Sequence, residues 1–218
     1  LHDVFRIYCC GPTVYRDAHV GNLRTFLLGD LVRRTLEFGG SQVRMIQNIT
    51  DVGHLNDDVN VENEADKILA QARIEKKNPF EIARFYEKIF HDDVKALNIA
   101  PADAYPRASE SIDLIVDLIA QLIYLGSAYQ GSDGSIYFAA GSVKDYGAIS
   151  NNSLDQLRAG YRFDATEVLE QGKRFHADWA LWKAASVNRE MTWQTPWGTG
   201  FPGWHVECSA MSIHYFPQ

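Results

Sequence analysis

Two periods alternate along the chain. Phe5 to Cys10 is a short run rich in aromatic and β-branched residues; Gly11-Pro12 ends it, and it predicts a buried strand. Thr13 to Asn22 reads as a loop. From about Asn22 to Phe38 the apolar spacing becomes helical. Leu27, Leu28, Leu31 and Val32 share one face, Arg33-Arg34 lie off it, and Gly39-Gly40 stops the helix. Val43 to Ile49 predicts a second strand. Strand, loop, helix, glycine turn and strand make a βαβ unit, so the two strands are expected to run parallel through a right-handed crossover.

The middle of the chain is helical. Glu62 to Lys76 carries Ile68, Leu69 and Ala72. Asn78-Pro79-Phe80-Glu81 then supplies a cap residue, a proline in the first turn and a glutamate at the third position. Behind that start, Ile82, Phe85, Tyr86, Ile89, Phe90 and Val94 recur at helical spacing. A third helix is expected from near Ser109, with a stripe of Ile112, Ile115, Val116, Ile119, Leu122 and Ile123, closed by Gly126. Such stripes are core. Tyr129 to Phe138, turning at Asp133-Gly134, predicts a β-hairpin. Lys144 to Gly160 is polar and turn-rich, ending in a short helical stretch at Leu154 to Leu157. All five tryptophans (Trp179, Trp182, Trp193, Trp197, Trp204) follow, among Pro196, Gly198, Gly200, Pro202 and Gly203. This last segment is expected to be loop-rich and stiff rather than regular.

Composition narrows the class. The chain has 218 residues, 46% hydrophobic, 12% aromatic and 22% charged, which excludes disorder, collagen and coiled coil. It lacks the run of ~18 apolar residues that a membrane span needs, and no signal peptide opens it. Its 21 basic and 28 acidic residues leave a net charge of −7, so the overall charge gives no attraction to nucleic acid. The three cysteines, Cys9, Cys10 and Cys208, are too few and odd in number for a disulfide framework and point to a reducing cytoplasm. The chain opens on Leu1 rather than Met and stops at Phe216-Pro217-Gln218 straight after an apolar stretch, so it is expected to be part of a longer protein.

Candidate chemistry gathers at the ends of the two predicted strands. Cys10-Gly11-Pro12-Thr13-Val14-Tyr15, then His19-Val20-Gly21-Asn22, lies where the first strand hands over to the first helix. Ligands of open parallel sheets bind outside the carboxyl ends of strands, and a helix N-terminus offers N–H groups to a phosphate. There His19 is a donor to a phosphate oxygen, Gly21 admits a nucleotide close to the backbone, and Asn22 adds a donor and an acceptor; a plain loop histidine with a helix-starting asparagine fits the same residues. Cys10 reads as a metal ligand, a thiol nucleophile or a small buried apolar residue; Cys9 alternates to the other face and takes the last reading. Asn48-Ile49-Thr50-Asp51 brings polar groups to the same sheet edge. In Trp204-His205-Val206-Glu207-Cys208, one or two metal ligands are compatible with the spacing, as is a buried Trp and Cys beside a surface His and Glu.

Taken in order, these elements resemble the first half of a cysteinyl-tRNA synthetase. The resemblance rests on Cys10–Tyr15, His19–Asn22 with Arg24-Thr25-Phe26, Asn48–Val52, Pro106-Arg107-Ala108, Asp178–Lys183, Pro196-Trp197-Gly198 and Pro202–Met211. It covers nearly the whole chain, and the ordered combination is specific where HxGN alone is weak. It implies an α/β fold: the first half of a Rossmann-like class I synthetase catalytic domain, with a parallel sheet, a largely helical insertion and a small β-hairpin region. Residues 1–58 would be the first βαβ half of the nucleotide-binding domain and 59–127 the helical region. Residues 128–200 would be a connective insertion with the hairpin and Trp-rich loops, and 201–218 the return to the catalytic domain.

The same resemblance implies ATP-dependent activation of L-cysteine to cysteinyl-adenylate and its transfer to tRNA(Cys); the protein is expected to be cytoplasmic and without a membrane anchor, with a monomer expected and the oligomeric state left open by the sequence. His19 and Asn22 are the implied catalytic residues, and His19, Gly21 and Asn22 the ATP-binding ones. Cys10, Gly11, Thr13, Thr25, Asn48, Thr50 and Trp204 would line the cysteine or adenylate pocket. Cys10 and Cys208 match two of the family's four zinc ligands, one Zn²⁺ per subunit, and ATP would arrive with Mg²⁺. The sequence departs from the family in lacking the HHENE-like stretch with the other two ligands, the KMSKS loop and the HGGG-type strand. The zinc site and the phosphate site are therefore expected to be incomplete in this chain, and the chain alone inactive. Asp51-Val52-Gly53-His54-Leu55 also departs from the family pattern and leaves the role of His54 open. A mycothiol-pathway ligase joining cysteine to an amino sugar, and a non-catalytic truncated paralogue, are the alternatives.

Overall fold

In the computed structural model, which describes residues 4–52, 66–148, 154 and 172–217, Val4–Cys9 forms β1, Val20–Phe38 forms α1 and Gln42–Gln47 forms β2. The strands pair in parallel from Val4 opposite Gln42 to Cys9 opposite Gln47, as the βαβ pattern requires. Pairing continues past the strand ends, where Thr13 bridges Thr50 in parallel. On its other side β2 is flanked by an extended segment, with Ile46 bridging Ala104 and Ile49 bridging Arg107, both parallel. Met45 N–H donates to Asp103 Oδ2 at 2.7 Å and Ile49 N–H to the Pro106 carbonyl at 2.8 Å.

The apolar face of α1 is not its buried face. Leu27, Leu28, Leu31 and Val32 are exposed, and Phe26 and Asp30 are buried instead. The helix lies against β1 and β2 through Gly29, where a Cβ would sit 2.8 Å from Cys9 Sγ and 3.2 Å from Met45 Cε. Close approach selects a residue without a side chain, and the apolar stripe is left facing away. Asp30 is satisfied by Arg34 Nε at 2.7 Å and the Ala100 N–H at 3.0 Å.

Helix α2 spans Lys67–Glu75, begins at Asp66, whose Oδ1 accepts from Ile68 and Leu69, and buries Ile68, Leu69 and Ala72. Helix α3 is Pro79–Ala96, with Asn78 capping Phe80 N–H at 2.8 Å and Pro79 in the first turn. It buries Ile82, Ala83, Phe90 and Val94, whereas Phe85 is exposed beside Lys77. Phe26, Val14 and Ile49 meet Ala83, Phe90 and Val94 in one core cluster, with the rings of Phe26 and Phe90 edge to face at 5.3 Å. The predicted start of α2 at Glu62, the residue His54 and most of the Leu154–Leu157 stretch lie outside the described residues.

The described residues fall into two units: those of Leu1–Asn56, Glu62–Ser111 and Cys208–Gln218, and those of Ile112–Glu207. In the second, α4 is Ile112–Tyr124, buried through Ile112, Ile115 and Ile119, after a short 3₁₀ turn at Ala108–Glu110. β3 (Ala128–Gln130) and β4 (Ile136–Phe138) are the predicted hairpin. The Trp-rich segment is regular, against expectation. β5 (Trp179–Ala184), β6 (Trp193–Thr195) and β7 (Gly198–Pro202) complete an antiparallel sheet in the order β3-β4-β5-β7-β6. Two of the glycines that suggested loops, Gly200 and Gly203, are there for close approach: a Cβ at Gly200 would lie 2.2 Å from the Lys183 carbonyl oxygen. Asp178 anchors the sheet, accepting from Tyr129 Oη at 2.6 Å and Ala140 N–H at 2.9 Å. Burial and that carboxylate push the Tyr129 phenol up to about 12.

The last helix, α5, is Val206–Tyr215 and carries Cys208. Beyond it, Arg6 donates to the Pro217 carbonyl at 3.0 Å. No helix among the described residues is long and apolar enough to cross a membrane.

Candidate active site

Cys10 is the first residue past β1 and Cys208 lies on α5. Their sulfurs are 3.4 Å apart although 198 positions separate them. None of the three cysteines is in a disulfide. The distance is too long for a disulfide bond of ~2.05 Å. It is close to the ~3.8 Å edge of a tetrahedron whose Zn–S bonds are ~2.3 Å. Two thiols on separate elements, held at that spacing without a covalent link, fit a shared soft metal ion. Cys9, pushed up from the usual thiol range by burial and then by its neighbour Cys10, points elsewhere: it is the sulfur beside Gly29.

Gly11, Asn48 and Thr50 surround the pair. Gly11 N–H donates to Asn48 Oδ1 at 3.0 Å, and Asn48 Nδ2 donates to Thr50 Oγ1 at 3.0 Å. Thr50 N–H donates to the Pro12 carbonyl at 3.0 Å and Val14 N–H to the Thr50 carbonyl at 3.2 Å. The sequence-predicted residues Cys10, Gly11, Thr13, Asn48, Thr50 and Cys208 are thus brought together at the carboxyl ends of the parallel strands.

The start of α1 is built differently from the expectation of open N–H groups. His19 is the cap residue: its Nδ1 accepts from Gly21 N–H at 3.1 Å and Asn22 N–H at 3.3 Å. Asn22 Oδ1 returns the contact by accepting from His19 N–H at 3.2 Å, a reciprocal capping box. Two N–H groups that an anion would use are therefore taken. Because Nδ1 accepts, the proton of the neutral ring sits on Nε2, which leaves the Nε2–H as a donor on an exposed side chain. Gly21 is needed by this cap, since a Cβ there would lie 2.9 Å from His19 Cε1. Thr25 is exposed, and its hydroxyl donates back to the Gly21 carbonyl at 3.3 Å. Trp204 belongs to the second unit, where its exposed indole stacks on His205 at 4.4 Å.

Sequence reasoning missed the ion network behind the site. Asp51, fully buried, accepts from Ser109 N–H at 2.8 Å, Ser109 Oγ at 2.6 Å and Arg84 Nη1 at 3.2 Å. Burial pushes its carboxyl up, against those hydrogen bonds. Glu87, also buried, takes both oxygens to Arg107 Nε at 3.0 and 2.9 Å and one to Arg84 at 3.0 Å. Burial raises it too, but donors from His91, Arg107 and Arg84 outweigh that and hold it down at about 2. The signal was available: Glu87 is a charge set among the apolar positions 83, 90 and 94 of α3. The network ties the residue after Thr50 to α3 and to Pro106-Arg107.

A family model described as the tRNA synthetases class I (C) catalytic domain matches residues 2–218. A cysteine–tRNA ligase of Thermus thermophilus is 44% identical over 212 residues, 97% of this chain and 43% of that protein. That of Deinococcus radiodurans is 46% identical over 212 residues, 97% of this chain and 41% of that protein. That of Pyrococcus horikoshii is 42% identical over 213 residues, with 98% and 41% covered. The chain therefore spans less than half the length of these relatives. Among solved structures, Mycobacterium tuberculosis methionyl-tRNA synthetase in complex with methionyl-adenylate aligns with a TM-score of 0.67 and 14% identity, covering 99% of this chain and 48% of that one; at this identity the likeness is one of fold. With its ordered motifs, its parallel βαβ start and a family match running from residue 2 to residue 218, the chain belongs to the class I (C) tRNA synthetase catalytic-domain family.

Proposed function

We propose that this chain carries the amino-acid site and part of the ATP site of a cysteine–tRNA ligase, which activates L-cysteine with ATP and transfers it to tRNA(Cys) in the cytoplasm. The observation that carries the reading is the meeting of Cys10 and Cys208 at 3.4 Å, with Cys10 directly after the first parallel strand. Serine and cysteine differ by one atom, so the walls of a pocket separate them poorly. Cys10 and Cys208 would hold a Zn²⁺ ion, which would supply a soft centre favouring a substrate thiolate over a hydroxyl, and the family resemblance assigns further protein ligands to a longer chain.

The chain's own residues do the rest. In adenylate formation a carboxylate oxygen of cysteine attacks the α-phosphorus of ATP, the bond to the bridging oxygen breaks, and pyrophosphate leaves with its Mg²⁺. The Nε2–H of His19, fixed by the Nδ1 cap, is a donor for the α-phosphate oxygen on which charge grows. Asn22 holds His19 in that pose from the other side of the capping box. Thr13 and Thr25 are offered by the same reading as pocket residues.

The test is ATP–pyrophosphate exchange by the full-length polypeptide that carries this chain, with cysteine and then serine, followed by charging of tRNA(Cys). Exchange is expected with cysteine and not serine, and His19→Ala is expected to slow it ~10²- to 10³-fold while cysteine binding changes little. Equal exchange with serine, or undiminished exchange by His19→Ala, counts against the reading. Adenylate handed to an amino sugar and not to tRNA would replace the acceptor. The 218-residue chain by itself is expected to be inactive in the same assay.

A further inference from the structure

Asn48 is wholly shielded from solvent, yet it is an amide with four hydrogen-bonding positions to satisfy. A buried amide left unpaired is destabilising, so its partners explain its presence. Oδ1 accepts from Gly11 N–H at 3.0 Å and faces Cys208 Sγ at 3.6 Å; Nδ2 donates to Thr50 Oγ1 at 3.0 Å. One side chain therefore reaches the residue next to Cys10 and also Cys208, 160 positions away in sequence.

The main chain repeats the contact. A Cβ on Gly11 would come within 1.7 Å of the Asn48 carbonyl oxygen, so the Cys10-Gly11 bend lies directly on the Asn48 backbone. The amide cannot turn over, because that would set Nδ2 against the Gly11 N–H, donor to donor. The bond to Thr50 then locks the plane. The bond from Gly11 does not involve a sulfur and persists when the thiols lose their protons to a metal. A leucine would fill the same space but strand the Gly11 N–H.

We propose that Asn48 is the positioning residue of the thiol pair: through the Gly11 N–H it fixes the Cys10-Gly11 segment beside Cys208, setting the separation a shared metal ion requires, and is spent on the chain's own groups rather than on substrate. The proposal rests on the metal reading of Cys10 and Cys208. It extends that reading to the shell behind the sulfurs, where loss of a partner typically weakens metal binding ~10- to 100-fold.

The experiment is Co²⁺ titration of the metal-free full-length polypeptide, read by the thiolate-to-cobalt charge-transfer band and by competition with a chelator, with melting curves of the metal-free forms alongside. Asn48→Leu is expected to bind Co²⁺ ~10- to 100-fold more weakly, with a weakened or shifted band per bound ion, an effect that general loss of stability does not produce. Should Asn48→Leu fail to fold, Thr50→Val takes its place. It leaves both Oδ1 contacts and removes only the lock on Nδ2, so a smaller weakening of ~3- to 10-fold is expected. Affinity within twofold of the unsubstituted protein together with an unchanged band, in whichever variant folds, overturns the proposal. Absence of the band from the unsubstituted protein overturns the metal reading and this proposal together; a normal band there with unaltered variants overturns only the role of Asn48.

Discussion

Helices α1 and α3 carry apolar stripes of the same kind, and the fold treats them oppositely. On α3, Ile82, Phe90 and Val94 are 0, 2 and 5% exposed; on α1, Leu28, Leu31 and Val32 are 61, 52 and 46% exposed. Periodicity identifies an apolar face but not what lies against it. Helix α1 is drawn onto β1 and β2 by Gly29, which allows an approach that a leucine face would not, so the contact surface of α1 is built from Phe26, Gly29 and Asp30. Helix α3 meets the same cluster with large side chains. A stripe is thus evidence of core only where another element packs its side chains against it.

The sharpest break of the comparison is Phe90→Ala. It empties the edge-to-face contact with Phe26 and is expected to cost about 3–5 kcal/mol in urea unfolding. A cost below about 1 kcal/mol would mean that α3 is no better packed than the outer face of α1.

The next effect belongs to the charge embedded in α3. The folded-state value of Glu87, about 2, lies below its ordinary 4.5. Its contribution is therefore complete above about pH 4.5 and drains away as the pH falls toward 2. At 1.36 kcal/mol per unit, the ceiling is about 3 kcal/mol. Asp51, raised by burial, works in the opposite direction over the acid range and offsets part of that loss. Unfolding free energy measured from pH 6 to 2.5 should fall less steeply in Glu87→Gln than in the unsubstituted chain; parallel curves would remove Glu87 from the explanation of acid sensitivity.

The smallest effects lie on α1 and run against intuition. Gly29→Ala improves helix propensity by about 1 kcal/mol, yet its methyl would press on Cys9 Sγ and Met45 Cε; a net loss of about 1 kcal/mol is expected from the crowding. Leu28→Gln, on the apolar outer face, should change stability of the 218-residue chain by less than about 0.5 kcal/mol. Thermal melts of the two side by side decide the matter: a costlier Leu28→Gln would place the leucine face, not Gly29, at the contact.

Much was legible in advance because it is written locally. The Asn78-Pro79 start of α3, the parallel βαβ order and the hairpin at Asp133-Gly134 each depend on residues a few positions apart, and all appear. The HxGN element was legible as the start of α1, but not its construction: that His19 caps α1 through Nδ1 depends on a ring orientation that spacing does not report. The Trp-rich segment was misread because Gly200 and Gly203 serve a neighbouring strand, whose contacting residues lie 17 and 23 positions away at Lys183 and Ala180. The network of Asp51, Arg84, Glu87 and Arg107 was silent for the same reason.

What the sequence alone determined is therefore the set of elements, their order and the residue types available to bind a nucleotide and a soft metal. The tertiary structure decided which of those residues meet. Cys10 and Cys208 come within 3.4 Å because β1 ends beside α5, a juxtaposition spanning 198 positions. Asn48 changes from a strand-end polar residue to the link between them because pairing of the two strands buries it against Gly11. Local propensities act over a turn of helix or a strand pair. Bringing distant groups together is the work of packing, whose outcome depends on every surface that competes for the same contact.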